Sequence, residues 1–298
     1  MTDTAFQRAA TYLDRQMVQP IRQQVIARKL LAKHTVLPQG KTRLTYNQIT
    51  ERGAATISFK LPNKIDRDAT KRTPRTIDIP VNLAGYQIER QEFDAFKSEG
   101  IDLNADEMLS AAQVVADAEE TMLMMGWKPD GSTEVIPGLY LMAGNTAGGA
   151  DFGTYGNAIA SVAAGMAACF ADKVKGVNFH MVLNSVQYGE LLGSVSTNGE
   201  RELPQVVEQL NHLKGAPMGT VWQSDEIAAG TGLLVPVDPA GVYIDLVVGS
   251  DMKNTLGMDS TIPEISPIYG TVYEYVRPRA KHADGSGDTV ALCSLTGI

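Results

Sequence analysis

The feature that most constrains this chain is a pair of short stretches with the two-residue period of a half-buried strand, separated by a charged connection too long to be a turn. In Ala55–Leu61, Ala55, Ile57, Phe59 and Leu61 alternate with Thr56, Ser58 and Lys60. In Ile77–Leu83, Ile77, Ile79, Val81 and Leu83 alternate with Asp78, Pro80 and Asn82. Such alternation puts every second side chain on one face of a strand. Pro80 has no amide proton to donate, which places the second strand at an edge or bulge. The connection PNKIDRDATKRTPR (Pro62–Arg75) far exceeds a tight hairpin loop. The pattern predicts a long two-stranded arm with a charged tip. An isolated ribbon is marginal in water, so it needs a surface to lie on, and a neighbouring copy of the chain is the economical choice.

Charge points the same way. The formal net charge is -8, but residues 1–75 hold fifteen Lys and Arg against five Asp and Glu, and the remainder is strongly acidic. Such a split suits a solvated basic face, an arm for nucleic acid, or a segment that docks on an acidic surface of like subunits. The basic part has few aromatics to stack on bases and no recognisable reading motif. Self-docking explains more, because both signs of charge belong to one chain.

Residues 4–33 read as one or two helices interrupted near Pro20, with Leu13, Met17, Ile21 and Val25 at four-residue spacing. A later long helix opens at Asn104, with Glu107 three residues on, and stops at Gly126. Met108, Leu109, Ala112, Val115 and Met122 mark its apolar face. Its carboxylates Asp117, Glu119 and Glu120 read as solvated or interface charge. From Gly138 the pattern is mixed α/β. The glycines at 144, 148, 149, 153 and 156 lack the spacing of a phosphate-binding loop and read as a flexible connection. A helix follows at about 157–173, then a strand at Phe179–Leu183 and helices at Ser185–Leu192 and Pro204–Leu213. Strands are expected at Gly219–Gln223, Gly232–Val237 and Tyr243–Val248, and Gly270–Arg277 with Thr289–Leu295 as a closing hairpin.

Catalytic and metal motifs are missing. The four histidines, His34, His180, His212 and His282, form no ligand cluster, and no nucleophile elbow is present. Cys169, in the small-residue run SVAAGMAACF, reads as a buried inert thiol, and His180 as a satisfied core residue. Two cysteines make neither a disulfide framework nor a structural zinc site. No cofactor, metal or catalytic residue is expected. The composition, 44% hydrophobic and 20% charged over 298 residues, excludes a disordered, collagen-like or coiled-coil chain. No apolar run approaches the roughly 20 residues of a membrane span, and the N-terminus lacks a secretory pattern. A soluble protein made in the cytoplasm is the default expectation.

The order of parts resembles the Hong Kong 97-type shell protein, shared by tailed-phage major capsid proteins and encapsulin nanocompartments. MMGWKPDGSTEVIPGLYL (Met124–Leu141) is similar to that family's helix, glycine turn and Gly-Leu passage into the next domain. FHMVLNSVQYGELLG (Phe179–Gly193) resembles its apical strand ending in Asn before an aromatic-containing helix. DLVVGSDMKNTLG (Asp245–Gly257) and IYGTVYEYVRPRAKHADGSGDTVALCSLTG resemble its final strands. The arm YLDRQMVQPIRQQVIARKLL is also like that of phage capsid proteins close to encapsulins. The resemblance covers nearly the whole chain in order.

The resemblance implies an α+β fold with an N-terminal arm (1–48), an extended two-stranded loop (49–85), a peripheral domain with a spine helix (86–137 and 255–298) and a mixed α/β apical domain (138–254). It implies no enzyme but a structural subunit that associates with copies of itself in pentamers, with or without hexamers, around a packaged genome. Such a capsid would be assembled in the host cytoplasm and released in the virion, without a membrane. The alternative is an encapsulin shell around a cargo enzyme; an α/β enzyme with an unrecognised site is a third reading. The residues assigned to the subunit interface are Ile57, Phe59, Lys64, Arg67, Lys71, Arg72, Arg75, Ile77 and Ile79. Phe6, Tyr12, Leu13 and Met17 are the candidate arm or cargo contacts. The lysine–asparagine pair through which some relatives cross-link is not matched, so no cross-link is expected.

Overall fold

The computed structural model describes residues 25–38, 41–49, 72–89, 105–128, 136–258, 268–281 and 289–298. The expected strand Ala55–Leu61 and the helical stretch before residue 25 lie outside these residues. The described chain starts with a short helix, α1 (Ile26–Leu30), and a strand, β1 (His34–Val36). A ribbon follows, in which β2 (Arg43–Ile49) pairs antiparallel with β3 (Arg72–Asp78), Arg43 opposite Asp78 and Ile49 opposite Arg72.

The stretch expected as one strand, Ile77–Leu83, is split. Ile79 donates to the Thr42 carbonyl at 2.8 Å, the last rung of the ribbon. Pro80 then has no proton to continue the ladder, and the chain turns into β4 (Val81–Ile88). The turn resets the phase. Ile79 is buried at 5% exposure, whereas Val81 and Leu83 face outward at 41% and 62%.

The long helix α2 (Ala105–Met125) leads to a short ladder of β5 (Gly126–Trp127) with β6 (Ile136–Pro137). Gly126 has φ +91, and a Cβ on Gly126 would collide with the Ile136 carbonyl. A Cβ on Gly138 would collide with the Gly126 nitrogen. This crossing brings the amides of Leu139 and Tyr140 onto the carbonyls of Leu123 and Met124 at 2.7 and 2.9 Å. Those carbonyls belong to the last helical turn, which has no partners of its own. The MMGW…IPGLY pattern is therefore a helix C-cap supplied from sixteen residues downstream.

The rest of the chain runs β7 (Ala143–Gly148), α3 (Asn157–Ala171), β8 (Phe179–Leu183), α4 (Ser185–Gly193), α5 (Glu202–Leu210), β9 (Val221–Gln223), β10 (Thr231–Pro236), β11 (Ile244–Met258), β12 (Ile268–Ala280) and β13 (Thr289–Thr296). Two sheets result: β1-β11-β12-β4 and β7-β13-β10-β8-β9. Helix α2 covers one face of the first, joining Ile88, Met108, Val115, Leu246, Val272 and Val276 in a shared core. The second sheet packs Val182, Leu233, Val235 and Leu292 into that same core. Its opposite face meets α3, α4 and α5 through Val162, Met166, Leu191 and Val206.

Two expectations are corrected. The glycine-rich stretch from 143 is not a loose connection at its start. Asn145–Gly148 pair in parallel with Cys293–Thr296 as an edge strand, and Gly149 is held where a Cβ would collide with Ile298. The closing hairpin is not formed either. β12 pairs with β11 and β4, while β13 lies between β7 and β10 in the other sheet. Ala291–Leu295 are all buried, and a strand covered on both faces suits the middle of a sheet.

Candidate assembly interface

The ribbon is anchored at its base by charge and stacking. Arg43 Nε donates to Asp78 Oδ1 at 2.6 Å across the pair, and Thr45 and Thr76 hydroxyls meet at 3.1 Å. Arg277 on β12 donates to the Asp78 carbonyl at 2.7 Å. Arg279, also on β12, lies 5.1 Å from the Tyr46 ring centre and makes two hydrogen bonds to Asp245. Burial pushes the Asp245 carboxyl up, but the bonds from Arg279, Thr35 and Lys281 outweigh it and hold the group below the usual carboxylate range. Arg75, Arg277 and Arg279 with Tyr46 line a cleft between the ribbon and the first sheet. The ribbon thus springs from a fixed, basic root.

The root of the N-terminal arm is fixed as firmly. Arg28 on α1 is buried and reaches three carboxylates: Glu119 on α2, Glu274 on β12 at 2.8 Å, and Asp251 on β11 at 3.4 Å. Asn82 on β4 donates to the other Glu274 oxygen at 3.3 Å. Burial and the adjacent Glu119 push the Glu274 carboxyl well above the ordinary range, against the pull of Arg28. The Arg28 guanidinium is held charged by Glu119 and Glu274, despite its burial. Helix α1 has no side-chain cap of its own at Val25. Instead Glu120 of α2 accepts from the Ala27 amide at 2.9 Å and from Ile26, at the end of a helix that favours negative charge. Its other oxygen is buried and has no partner among the described residues. Burial pushes the Glu120 carboxyl up to about 7 in spite of the Ala27 amide.

The expectation that Asp117, Glu119 and Glu120 are all solvated or interface charge is therefore corrected. Asp117 and Glu107 are exposed, but Glu119 is 1% exposed and Glu120 is turned onto α1. Helical spacing separates Asp117 from Glu119, since residues two apart lie on different faces, whereas Glu120, three residues on, is drawn in by the Ala27 amide. Arg28 was missed in the sequence. Its signal is a cation three residues after Val25, between the apolar Ala27 and Leu30–Leu31.

Of the residues assigned to the interface, Ile57, Phe59, Lys64, Arg67 and Lys71 lie outside the described residues, as do Phe6, Tyr12, Leu13 and Met17. Arg72 opposes Ile49 in the ribbon. Arg75 is exposed, Ile77 half-buried and Ile79 buried within its own chain. The outer face of the first sheet, by contrast, leaves Val81 and Leu83 exposed beside the ribbon root and Tyr269 exposed further along the same face. His180 accepts from the Thr220 amide at 3.1 Å, and burial pushes its pKa down to about 4. Asn184 caps α4 by accepting from Val186 at 3.0 Å and donates to the Ile227 carbonyl at 2.7 Å, which accounts for the Asn that ends the strand before this helix. Among the described residues no group of His, Cys, Asp and Glu is placed to hold a metal ion, and no helix is long and apolar enough to cross a membrane.

A basic-rooted ribbon, a long helix across one sheet and a second, helix-covered sheet together make the α+β Hong Kong 97-type shell fold. The chain superposes with TM-score 0.60 and 17% identity on a virus-like particle from Pyrococcus furiosus, covering 95% of this chain and 97% of that one. The capsid of Myoviridae Phage XM1 gives 0.62 and 12%, with 87% of each chain covered. The capsid of an empty GTA particle gives 0.60 and 14%, covering 91% and 90%. In sequence, residues 6–257 match the Linocin_M18 family, described as "Encapsulating protein for peroxidase", and the chain belongs to that family of shell-forming structural proteins. A search of curated proteins gives no match. Self-association into a multimeric shell is the property that this fold and family share.

Proposed function

We propose that copies of this chain close into an icosahedral shell, in pentamers with or without hexamers, and that the ribbon of one copy lies over the long helix of the next. The observation that carries this reading is the ribbon itself. It is rooted on the body by Asp78, Arg277 and Arg279, yet it is a two-stranded element of the kind that is marginal alone. Lys64, Arg67, Lys71, Arg72 and Arg75 would face the acidic stretch from Asp94 to Glu120 of a neighbour. On its described part Glu107 and Asp117 remain outward, since Glu119 and Glu120 are used within the chain. Exposed ion pairs contribute only ~0–1 kcal/mol each, so they would set register. Ile57, Phe59 and Ile77, with the uncovered Val81 and Leu83, would supply adhesion. Ile79 would act from inside, as the pivot between ribbon and sheet.

Two contents are considered for the shell. A packaged genome, in a capsid assembled in a host cytoplasm and released in a virion, is supported by likeness to the phage and GTA capsids. A cargo enzyme is supported by the family match, and Phe6, Tyr12, Leu13 and Met17 would then offer its apolar contacts. Negative-stain microscopy with size-exclusion chromatography of the protein expressed alone tests the shell. Closed particles of uniform diameter are expected, and a monomer at every salt concentration would refute it. Co-expression with the native genomic neighbours, followed by nucleic-acid and protein assay of purified particles, separates the two contents.

A further inference from the structure

Helix α3 and strand β13 bring together the only two cysteines of the chain, Cys169 and Cys293. Cys169 stands one turn beyond Gly165 on the face of α3 that meets the second sheet. Gly165 leaves room for the sheet side chains, and a Cβ there would lie 3.4 Å from Cys293 Sγ. Cys169 Sγ in turn lies 3.7 Å from the carbonyl of Ala291, two residues before Cys293 on the same strand. The two thiols thus point into one helix–sheet seam, Cys169 donating to the Ala291 carbonyl and Cys293 to the Ser294 carbonyl at 3.6 Å. Both are free and have no exposed surface. An isolated buried thiol is inert filler, but two that face one seam from separate elements have a covalent alternative.

We propose that Cys169 and Cys293 are a redox site, converted by a peroxide-class oxidant into an intrachain disulfide that ties α3 to β13. The neighbouring Cys293, with burial, pushes the Cys169 thiol up, and the neighbouring Cys169 holds the Cys293 sulfur below its usual range. Cys293 is therefore the attacking sulfur. Its thiolate takes one peroxide oxygen, the O–O bond breaks, and the released hydroxide leaves as water, giving a sulfenic acid on Cys293. The Cys169 sulfur then displaces that hydroxyl, which departs as water with the Cys169 proton, and the S–S bond forms. Two thiols lose two electrons and two protons, and one peroxide becomes two waters. Because neither sulfur touches solvent, the reaction waits on local opening of the seam and is slow beside that of an exposed thiol. The product closes a loop from 169 to 293, containing β8 through β12, and so constrains the unfolded chain.

The test uses the full-length protein as purified. It is treated with hydrogen peroxide, cleared with catalase, and alkylated with iodoacetamide under denaturing conditions without reductant. The linked peptide, read after digestion, is expected to weigh about 2 Da less than its two thiol peptides together, the mass being taken on these peptides because methionines elsewhere also gain oxygen under peroxide. Alkylatable thiols should fall from two to none, with a single linked peptide carrying both cysteines. Dithiothreitol should restore both thiols. Full alkylation after prolonged treatment would overturn the proposal. So would a stable gain of about 16 or 32 Da from an oxygenated thiol, or a disulfide joining two chains. Cys293→Ala, measured alongside, is expected to leave Cys169 fully alkylatable.

Discussion

Glu120 and His180 are buried ionisable groups whose shifts act on stability in opposite senses. The unfolded Glu120 carboxyl ionises near 4.5, but in the folded chain it holds its proton to about 7. Its contribution is complete below 4.5 and is lost as pH rises through 7. His180 takes a proton near 6.5 when unfolded but only near 4 when folded. Its contribution is complete above 6.5 and is lost as pH falls toward 4. Between 4.5 and 6.5 these two slopes oppose each other, while the raised Glu274 carboxyl adds to the loss on the side of rising pH. Glu120→Gln should remove one slope. Its stability relative to the parent should rise with pH between 4.5 and 7 by on the order of 2 kcal/mol in urea unfolding, and a constant offset would contradict this. Arg28→Ala leaves Glu119 and Glu274 buried without their cation. A loss of about 3–5 kcal/mol is expected, read from the same urea curves; a loss under 1 kcal/mol would show that the network relaxes around the gap.

At the scale of elements, the glycine crossing at the exit of α2 makes a sharp prediction. Gly138→Ala drives a Cβ into the backbone at Gly126 and Met125, where no flexible side chain can give way. It should detach Leu139 and Tyr140 from the helix end, and circular dichroism should report a lowered melting temperature or no soluble protein. Gly148→Ala, with open space around it, is the matched control and should melt like the parent.

The elements that were legible in the sequence are those whose own residues decide them. The long helix has a clear apolar face and a glycine stop, and Phe179–Leu183 is bounded by turn residues. Pairing was less legible. Gly270–Arg277 and Thr289–Leu295 are adjacent strands joined by ADGSGD, which suggests a hairpin. Yet Val272, Glu274 and Val276 are buried in alternation while Ala291–Leu295 are buried throughout, so the two strands fit different sheets. Likewise the residues of β2, Arg43–Ile49, carry too little apolar alternation to declare a strand until Arg72–Asp78 is beside them. The arm root was hidden for the same reason: nothing local to Arg28 says that its partners lie on α2, β11 and β12.

For the whole molecule, the split of charge between residues 1–75 and the rest becomes a statement about assembly. Reversing Arg67, Lys71 and Arg72 together to glutamate is expected to lower shell yield several-fold in light scattering and chromatography while leaving the monomer's circular dichroism unchanged. Raising salt from 0.1 to 1 M, which shortens the screening length from about 10 to 3 Å, should weaken assembly of the parent without abolishing it. Indifference of assembly to the triple reversal would assign the ribbon's adhesion to its apolar face alone.

The position of β13 has a consequence for manufacture. Until Thr289–Thr296 slides between Ala143–Gly148 and Thr231–Pro236, both of those strands present open hydrogen-bonding edges. The matching strand of another copy fits the gap as well as the chain's own. A shell needs many copies made close together, and crowding raises the rate of that exchange while the rate of insertion within one chain stays fixed. Slower expression at lower temperature is therefore expected to raise the yield of shells per chain made, and an unchanged yield would show that insertion within one chain outruns exchange.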